Sequence, residues 1–485
     1  MTRTLTFFLI CLVLPLIQLR AQDDFDPTAL EKYVVKQMKK RHVAALSIAI
    51  VDDQKVIWSK GYGMADIDGG KTATAETVYR VGSVSKLFTM LSVMQLVEAG
   101  KLDLDRPVKD YLPNFSPRTR FPDAPVITAR HLLTHQSGLP SDVLANFFSD
   151  NPPPFQQIIQ ELNQEYVSCP PNTIWAYSNP AFDVLGVLVE KVSGESFFDY
   201  TQRHLFSPMD MKQSTFRLAD SSQYAMGYHK KLEALAEPRI KDVPAGMMHA
   251  NVKDLSNFMK MMFAKGEFNG KSVLEGSSIA EMLRPQTADV ALDFDRNMGL
   301  CWFLTEDKSP WSKVGGMAGH GGDTYVYHAD LTILPGQKLG VVALTNSASG
   351  EGLVRSVRRR AMLMALKQLR GIENPEDEDE QEDEKGVSEA KTFSDEALNE
   401  VAGTYAIGPV PFHLASKGKK LKTNLAGTRF TVHPHKTGGL MPKVKLFGLI
   451  SIPVKSIRLY PEQINGYDVL VQKEEGVQSL FAVRT

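Results

Sequence analysis

The chain has 485 residues, of which 43% are hydrophobic and 23% are charged, and its formal net charge is −1. This balance excludes a chain that is strongly basic throughout, as a nucleic-acid-binding protein would be. The total conceals an uneven distribution, because residues 371–385 carry nine acidic residues and one Lys, whereas residues 391–485 carry 13 basic and seven acidic residues. Such unlike segments predict separate domains, two or three for a chain of this length.

Residues 1–21 have the pattern of a signal peptide. A positive charge at Arg3 precedes an apolar run from Leu5 to Leu19, and cleavage is plausible after Ala21. The run is shorter than the roughly 20 apolar residues that a transmembrane helix needs. We therefore expect an exported protein, periplasmic or secreted, with an uncleaved membrane anchor as the alternative.

The next elements predict a hairpin between two helices. Residues 30–38 have helical spacing, and residues 45–51 and 56–58 are strand-like runs joined by a short polar turn. An apolar-periodic helix then begins just after Gly82 and ends at Gly100.

The second half of the first domain predicts two more helices, a hairpin and a closing helix. The helices are expected over residues 181–192 and 254–263, the strands over 324–334 and 339–345, and the closing helix over 354–369. A chain that starts and ends with a hairpin can join its first and last strands in one antiparallel sheet. The predicted class is therefore α+β rather than alternating βαβ.

These patterns divide the chain into four segments. Residues 1–21 are the signal peptide, and residues 22–370 form the first folded domain. The acidic residues 371–390 cannot bury a core and are predicted to be a disordered linker. Residues 391–485 have short apolar stretches, frequent Gly and Pro and little helical spacing, which predicts a small, barrel-like all-β domain.

A nucleophile is suggested by the sequence Ser83-Val84-Ser85-Lys86. A serine hydroxyl needs a base, and a Lys three residues later lies on the same face of a helix. Helix N-termini also favour developing negative charge. The Ser-x-x-Lys spacing recurs at Ser388 and Ser416, but only Ser83 opens an apolar helix. The structural alternative for Ser83 is an ordinary helix N-cap.

Two further groups lie at predicted element boundaries. Tyr177 and Asn179 stand just before the helix at 181–192, and His320, Gly322 and Asp323 stand just before the predicted strand at 324–334. A phenol can relay a proton, and an amide can hold a carbonyl. Taken singly, each has a structural explanation as a half-buried aromatic residue, a helix cap or a loop. The three elements in this order favour a catalytic site.

These motifs resemble those of the serine β-lactamase and penicillin-binding family, in its class C, D-alanyl-peptidase and esterase branch. Ser83 and Lys86 match the SxxK motif, Tyr177 and Asn179 match YxN, and the segment from His320 to Gly322 matches [KH]xG. The resemblance covers roughly residues 25–367. It implies a two-lobed β-lactamase/transpeptidase-like fold, in which an antiparallel sheet flanked by helices lies beside a helical lobe.

The resemblance also implies roles for these residues. Ser83 would attack a carbonyl, and Lys86 and Tyr177 would share the proton transfers that activate Ser83 and later the deacylating water. Asn179 would contact the acyl side chain. The backbone N–H groups of Ser83 and Asp323 would form the oxyanion hole.

His320 and Gly322 would bind substrate, with His320 in place of the Lys of true class C β-lactamases. A neutral His holds a substrate carboxylate less firmly than a Lys does, which favours a peptidase, amidase or esterase over a β-lactamase. Two alternatives stay open: a penicillin-recognising sensor that is acylated without turnover, and a catalytically degenerate scaffold that binds through its C-terminal domain.

No cofactor or metal is expected. His131 and His135 have the spacing of a zinc-binding helix but lack the Glu that follows the first His in metalloproteases. The histidines within 433–435 are read as surface residues. Cys169 and Cys301 are read as buried free thiols, with a disulfide between them in an export compartment as the alternative.

The expected partner of the first domain is a small-molecule or peptide substrate rather than a nucleic acid. The C-terminal segment has a basic cluster that could contact an anionic envelope surface or the acidic linker. Its members are Lys417, Lys419, Lys420 and Lys422. The sequence leaves the oligomeric state open.

Overall fold

The structure is a computed structural model. It describes residues 25–143, 148–149, 151–217, 224–287, 290, 297–305, 309–375, 394–407, 410–425, 428–434, 440–446, 450–453, 459–464, 467–474 and 477–484. The predicted signal peptide, residues 376–390 of the predicted linker, and His435 lie outside these ranges.

The described helices lie mostly in the first 370 residues, and a 3₁₀ turn over Gly82–Val84 precedes the second of them. In chain order they are α1 Thr28–Arg41, α2 Ser85–Glu98, α3 Val108–Tyr111, α4 Ala129–Leu133, α5 Ile158–Leu162, α6 Asn179–Ser193, α7 Phe197–Thr201, α8 Val243–Gly246, α9 Val252–Phe263, α10 Gly276–Leu283, α11 Glu351–Arg370 and α12 Asp395–Val401.

The described strands of the first domain are β1 Ala45–Asp52, β2 Lys55–Asp66, β3 Lys71–Thr72, β4 Tyr79–Arg80, β5 Phe148–Ser149, β6 Gly227–Tyr228, β7 Ala234–Leu235, β8 Arg239–Ile240, β9 His249–Ala250, β10 Glu267–Phe268, β11 Lys271–Ser272, β12 Phe303–Leu304, β13 Ala318–Asp323, β14 His328–Leu334 and β15 Leu339–Thr345. Those of the C-terminal region are β16 Gly403–Ile407, β17 Val410–Ser416, β18 Leu421–Leu425, β19 Thr428–Pro434, β20 Leu440–Leu446, β21 Ile450–Pro453, β22 Leu459–Ile464, β23 Tyr467–Glu474 and β24 Val477–Arg484.

The main sheet of the first domain joins the beginning of the chain to its end, as the two hairpins predict. Its strand order is β12-β13-β14-β15-β1-β2-β3. β1 pairs antiparallel with β15, with Leu46 opposite Thr345 and Asp52 opposite Leu339. The predicted α+β class and antiparallel sheet are therefore confirmed.

Both faces of this sheet are covered, because successive side chains of a strand point to opposite faces. Along β1 every residue is buried. Ala45, Ala49 and Val51 join the larger core with α2 and α9. Leu46 and Ile48 join the second core, with α1 and α11. The sheet thus separates two helical layers.

Helix α2 lies at the centre of the larger core, and its position fixes the candidate site. Eleven of its 14 residues are buried, so this helix is surrounded by the rest of the protein on nearly all sides. Phe88 packs against Phe206 and Phe258, with ring centroids 5.6 and 5.0 Å apart. A helix held this firmly gives the residues of its first turn a fixed position.

The predicted strand at 324–334 is wrong in its first part. The structure has two strands there, β13 and β14, with residues 324–327 as the turn between them. Three of the six residues of β13 are Gly, a residue depleted in strands, and this composition hid the strand from the sequence pattern. The segment from His320 to Asp323 therefore belongs to the sheet itself and is not a loop before it.

The C-terminal region is all-β apart from α12, which the sequence pattern missed. Ser394 caps this helix by accepting a hydrogen bond from the N–H of Ala397. The described strands pair from β16 through β17, β18, β19, β20, β22, β23 and β24 back to β16, which closes a ring, while β21 extends β20. Leu398 and Tyr405 are buried in the small core of this region. Within the described ranges, no helix has the length and apolarity to cross a membrane.

Candidate active site

Ser83 lies on the 3₁₀ turn that precedes α2, and its position differs from that of a helix cap. Residue Val84 occupies the N-cap position of α2, without a side-chain cap. The neighbouring Ser85 fixes the turn instead, because its hydroxyl donates to the Gly82 carbonyl at 2.6 Å and accepts from the Met248 N–H at 3.0 Å. The Ser83 hydroxyl does not cap the helix, and it contacts the side chains of Tyr177 and Lys86 instead.

Two of the predicted residues converge on the Ser83 hydroxyl. The Tyr177 phenol donates a hydrogen bond to Ser83 Oγ at 2.8 Å, and Lys86 Nζ donates to the same oxygen at 3.0 Å. A phenol and an amine on one serine oxygen can between them remove and supply a proton.

Lys86 is fully buried and has three acceptors around its Nζ atom. Besides Ser83, it donates to Asn179 Oδ1 at 2.7 Å and to the Ala245 carbonyl at 2.8 Å. Burial lowers the pKa of Lys86 to about 8, because removal from water disfavours the charged form. Nearby acidic groups, including Asp183 and Asp242, oppose that effect without cancelling it.

Tyr177 is held in place by aromatic packing at the start of α6. Its ring lies 4.2 Å from the ring of His135, centroid to centroid, and the His135 Nδ1 atom accepts from the Ser178 N–H at 3.1 Å. Ser178 caps α6 by accepting from the Ala181 N–H. Burial raises the pKa of Tyr177 above its ordinary value, so the phenol keeps its proton at neutral pH.

Asn179, the predicted substrate-binding amide, has both ends of its side chain engaged within the protein. Its oxygen accepts from Lys86, and its Nδ2 donates to Asp142 Oδ1 at 2.7 Å. The amide therefore links Lys86 to a carboxylate and orients the amine beside Ser83.

The backbone of β13 runs directly against the turn that holds Ser83. A Cβ atom at Gly322 would lie 1.9 Å from the Val81 carbonyl oxygen and 3.0 Å from the Ser83 nitrogen. A Cβ atom at Gly82, which has a φ of +52°, would lie 2.8 Å from the Asp323 nitrogen. Only glycine, which has no Cβ atom, permits this approach. The approach brings the backbone amides of Ser83 and Asp323 to one edge of the candidate site.

The Asp323 carboxylate points away from this edge. Its oxygens form hydrogen bonds with His328 Nδ1 at 2.6 Å and with Arg355 Nη2 of α11 at 3.5 Å. Because His320 and Asp323 are three residues apart on one strand, their side chains lie on opposite faces of the sheet. A carboxylate on the same face as His320 would repel an anionic substrate. The position of Asp323 on the opposite face reduces this repulsion.

His320 is buried and uncharged at neutral pH. Burial, followed by the charge of Lys86, lowers the pKa of His320 to about 3. Its Nδ1 atom lies 2.6 Å from the Gly321 carbonyl oxygen, and its ring packs edge-on against Phe303 at 5.2 Å. This side chain therefore supplies the cleft with a neutral imidazole where a Lys would supply a positive charge.

The remaining histidines and cysteines singled out in the sequence have structural contacts. His131 Nδ1 accepts from the Thr128 N–H at 3.2 Å in a capping box, whereas His135 packs beside Tyr177. Cys169 and Cys301 are buried and unpaired. Among the described residues, no group of three or more His, Cys, Asp or Glu side chains is arranged to hold a metal.

Sequence reasoning gave no role in this site to five residues that surround it. They are Ser85, His135, Asp142, Asp183 and Asp242. A signal for one of them was present, because Asp183 follows Asn179 by four residues and so lies on the same face of a helix. The contacts of Ser85 with Met248, of His135 with Ser178 and of Asp142 with Asn179 join distant segments, which no local pattern reveals.

Comparison with known proteins gives a consistent result for the first domain. A model of the beta-lactamase family matches residues 30–366. Penicillin-binding protein 4 of Amycolatopsis lactamdurans is 29% identical over 348 residues, which are 69% of this chain and 87% of that protein. Protein flp of Staphylococcus aureus (strain MW2) is 24% identical over 324 residues, 65% of this chain. The match spans 62% of the length of flp.

A solved structure resembles the chain along almost its whole length. The octameric penicillin-binding protein homologue from Pyrococcus abyssi superposes with a TM-score of 0.62 at 24% identity. The alignment covers 95% of this chain and all of that chain. At this identity the likeness concerns the fold, and it extends across the C-terminal all-β region.

Proposed function

This chain belongs to the beta-lactamase family of serine hydrolases, and on that premise we propose that it hydrolyses an amide or ester through an acyl-enzyme formed on Ser83. The observation that carries the proposal is the convergence of Lys86 Nζ and the Tyr177 phenol on Ser83 Oγ, at 3.0 and 2.8 Å.

Lys86 is the group best suited to take the proton from Ser83. A neutral amine has two N–H donors and one lone pair. The Asn179 oxygen and the Ala245 carbonyl, at 2.7 and 2.8 Å, occupy the two donors and leave the lone pair facing Ser83. Burial lowers the pKa of Lys86 to about 8, so the neutral form is accessible near physiological pH.

Tyr177 is suited to the complementary role of proton donor. As Ser83 Oγ attacks the carbonyl, its proton passes to Lys86, and the leaving amine or alkoxide receives a proton through the phenol of Tyr177, which Lys86 restores. In deacylation the same groups act in reverse: a water takes the place of the leaving amine or alkoxide and gives up its proton as it attacks, and Lys86 returns a proton to Ser83 Oγ as Ser83 leaves. The amides of Ser83 and Asp323 would stabilise the tetrahedral oxyanion.

The neutral His320 favours substrates without an essential carboxylate at this end of the cleft. A carboxylate would gain less from an imidazole with a pKa of about 3 than from a Lys ammonium. We therefore place D-amino-acid amides, short-chain esters and peptides cleaved away from a terminal carboxylate ahead of β-lactams as substrates.

Two further proposals concern the cellular setting. Residues 1–21 support export to the periplasm or beyond, and N-terminal sequencing of the mature protein would test this. The net charge of +6 on residues 391–485 supports contact with an anionic envelope surface. Salt-sensitive binding to anionic vesicles, compared with neutral ones, would test that contact.

The test of the enzymatic proposal is a hydrolysis panel with a D-Ala-D-Ala peptide, a D-aminoacyl amide, a cephalosporin and a p-nitrophenyl ester. We expect turnover of at least one, and its loss in Ser83→Ala. Ser416→Ala, at the other described Ser-x-x-Lys sequence, is the control that should retain it. Acylation by a fluorescent penicillin without turnover of any substrate would favour the sensor alternative, and a folded protein that neither labels nor turns over would refute both.

A further inference from the structure

A buried carboxylate, Glu237, lies in the segment between β7 and β8, and its side chain is only 1% exposed to solvent. Both of its oxygens accept two hydrogen bonds. Oε2 accepts from Arg80 Nη1 at 2.7 Å and from the Thr324 hydroxyl at 3.0 Å. Oε1 accepts from the backbone N–H groups of Tyr325 and Val326, at 2.5 and 3.2 Å. Four donors around one buried carboxylate fix its position, because an ionised acceptor forms stronger hydrogen bonds than a neutral one.

These donors belong to two backbone segments that are far apart in sequence. Arg80 is in β4 and precedes Ser83 by three residues. Residues 324–326 lie in the turn between β13 and β14, which begins directly after Asp323. Glu237 therefore connects the segment that carries Ser83 to the segment that carries Asp323. The backbone amides of these two residues are the proposed donors to the oxyanion.

Further contacts hold each segment near Glu237. The Arg80 guanidinium also donates to the Pro238 carbonyl at 3.0 Å and lies 5.9 Å from the centroid of the Tyr327 ring. Within the turn, the Thr324 hydroxyl accepts from the Tyr327 N–H at 3.1 Å. The Tyr327 phenol donates to the Ala225 carbonyl at 2.7 Å. The donors to Glu237 are thus held in place themselves, so a change at the carboxylate is transmitted to both backbones.

Steric contact alone does not fix the distance between the two segments. A Cβ atom at Gly322 would lie 1.9 Å from the Val81 carbonyl oxygen, so the backbones cannot move closer together. Such a contact does not resist separation. The hydrogen bonds of Glu237 do resist it, because the segments cannot separate without breaking some of them. Oxyanion donors are effective only at about 2.7–3.1 Å from the oxygen that they stabilise, so a small separation weakens them.

We propose that Glu237 is a positioning residue that holds the amide of Asp323 beside that of Ser83 and so sets the geometry of the oxyanion hole. The inference rests on the proposed function, in which these two amides stabilise the tetrahedral oxyanion. Removal of one oxyanion donor costs on the order of 10²–10³-fold in kcat. Displacement of a donor that stays present should cost less, roughly 10–100-fold.

Glu237→Gln tests this role with little change of shape. The amide oxygen can still accept from the turn, but Arg80 loses its anionic partner and faces an amide N–H. Asp52→Asn is the matched control, because Asp52 is also a buried carboxylate and pairs with Arg370 Nη2 at 2.5 Å. It lies at the opposite end of β1 from the row of strand partners that begins at Asp323, roughly 20 Å away along the strand.

The two substitutions should differ in their effect on catalysis and not only on stability. Both should lower the midpoint of unfolding in urea. Only Glu237→Gln should lower kcat for a p-nitrophenyl ester, by roughly 10–100-fold, with KM within about threefold of wild type. Its affinity for an arylboronic acid should fall by a similar factor, because the tetrahedral adduct of the boronic acid with Ser83 places an oxygen at the oxyanion position. Thr324→Val, which removes one donor to Glu237, should cause a smaller loss in the same direction.

The experiment measures four quantities on the full chain: kcat, KM, the Ki of the boronic acid and Ser83 labelling by a fluorophosphonate. Unchanged kcat and Ki in Glu237→Gln, or equal losses in Asp52→Asn, would overturn the inference. Should Glu237→Gln not fold, unchanged values in Thr324→Val have the same consequence. Absence of labelling in folded wild-type protein would overturn the proposed function and this inference with it. A labelled wild type whose variants keep their kcat and Ki overturns this inference alone.

Discussion

Gly322→Ala is the substitution that tests most simply whether β13 must lie against the Ser83 turn. The added Cβ would be 1.9 Å from the Val81 carbonyl oxygen, whereas real Cβ atoms essentially never approach closer than 3.0 Å. The strand and the turn would have to separate by about 1.1 Å. A displacement of roughly 1 Å at a reacting group costs on the order of 10²-fold in rate, or about 2.7 kcal/mol of activation free energy.

The assay is kcat/KM for the best ester of the panel, with thermal unfolding measured in parallel. Gly321→Ala is the matched control one residue earlier, because its Cβ would meet only the Ala329 carbonyl, at 3.8 Å. We expect the control to stay within about threefold of wild type, and Gly322→Ala to lose roughly 10²-fold while remaining folded. Full activity in Gly322→Ala would refute the close approach of the two backbones as a condition of catalysis.

Further predictions concern the base, the imidazole and two buried carboxylates. Lys86→Ala should lower kcat for an ester by on the order of 10²–10⁴-fold, and a loss under tenfold would exclude Lys86 as the base. The pH profile should show no inflection near 6.5 from His320, whose pKa burial lowers to about 3; an inflection there that disappears in His320→Gln would contradict its assignment as neutral. Arg80→Met breaks a buried ion pair with Glu237 at 2.7 Å and should lower the free energy of unfolding in urea by about 3–5 kcal/mol; a change below 1 kcal/mol would show the pair to be dispensable. Burial raises the pKa of Asp242 from 3.8 to about 6, so its ionisation lowers the stability of the wild type as the pH rises from about 4 to 6 and has no further effect above that. The stability of Asp242→Asn relative to wild type should therefore increase by about 2 kcal/mol between pH 4 and pH 8, and a constant difference would contradict this.

The parts of the fold that the sequence predicts are those that local periodicity specifies. The apolar helix after Gly82 and the strands around the turns at residues 52–54 and 335–338 have strong patterns, and each is present. β13 has no such pattern, because three of its six residues are glycines, and one of them, Gly322, is required by the close approach of Val81 rather than by strand propensity. The contact between Gly322 and Val81 joins residues more than 200 positions apart, which periodicity cannot express.

The candidate site divides in the same way. The spacing of Ser83 and Lys86 follows from helix geometry, and Tyr177 was marked by its place before α6, so their convergence could be anticipated. The electrostatic environment of Lys86 could not be anticipated from the sequence. Asp242 comes from a distant segment, and its electrostatic effect on Lys86 depends on burial, which only the folded arrangement reveals.

The central claim is tested most directly by trapping the acyl-enzyme. The wild-type protein is mixed with a p-nitrophenyl ester or a penicillin, quenched with acid within seconds, and analysed by intact mass spectrometry and peptide mapping. The proposed mechanism predicts a single added acyl group, located on Ser83 and absent from Ser83→Ala. An adduct on another residue, or turnover that persists in Ser83→Ala, would contradict it.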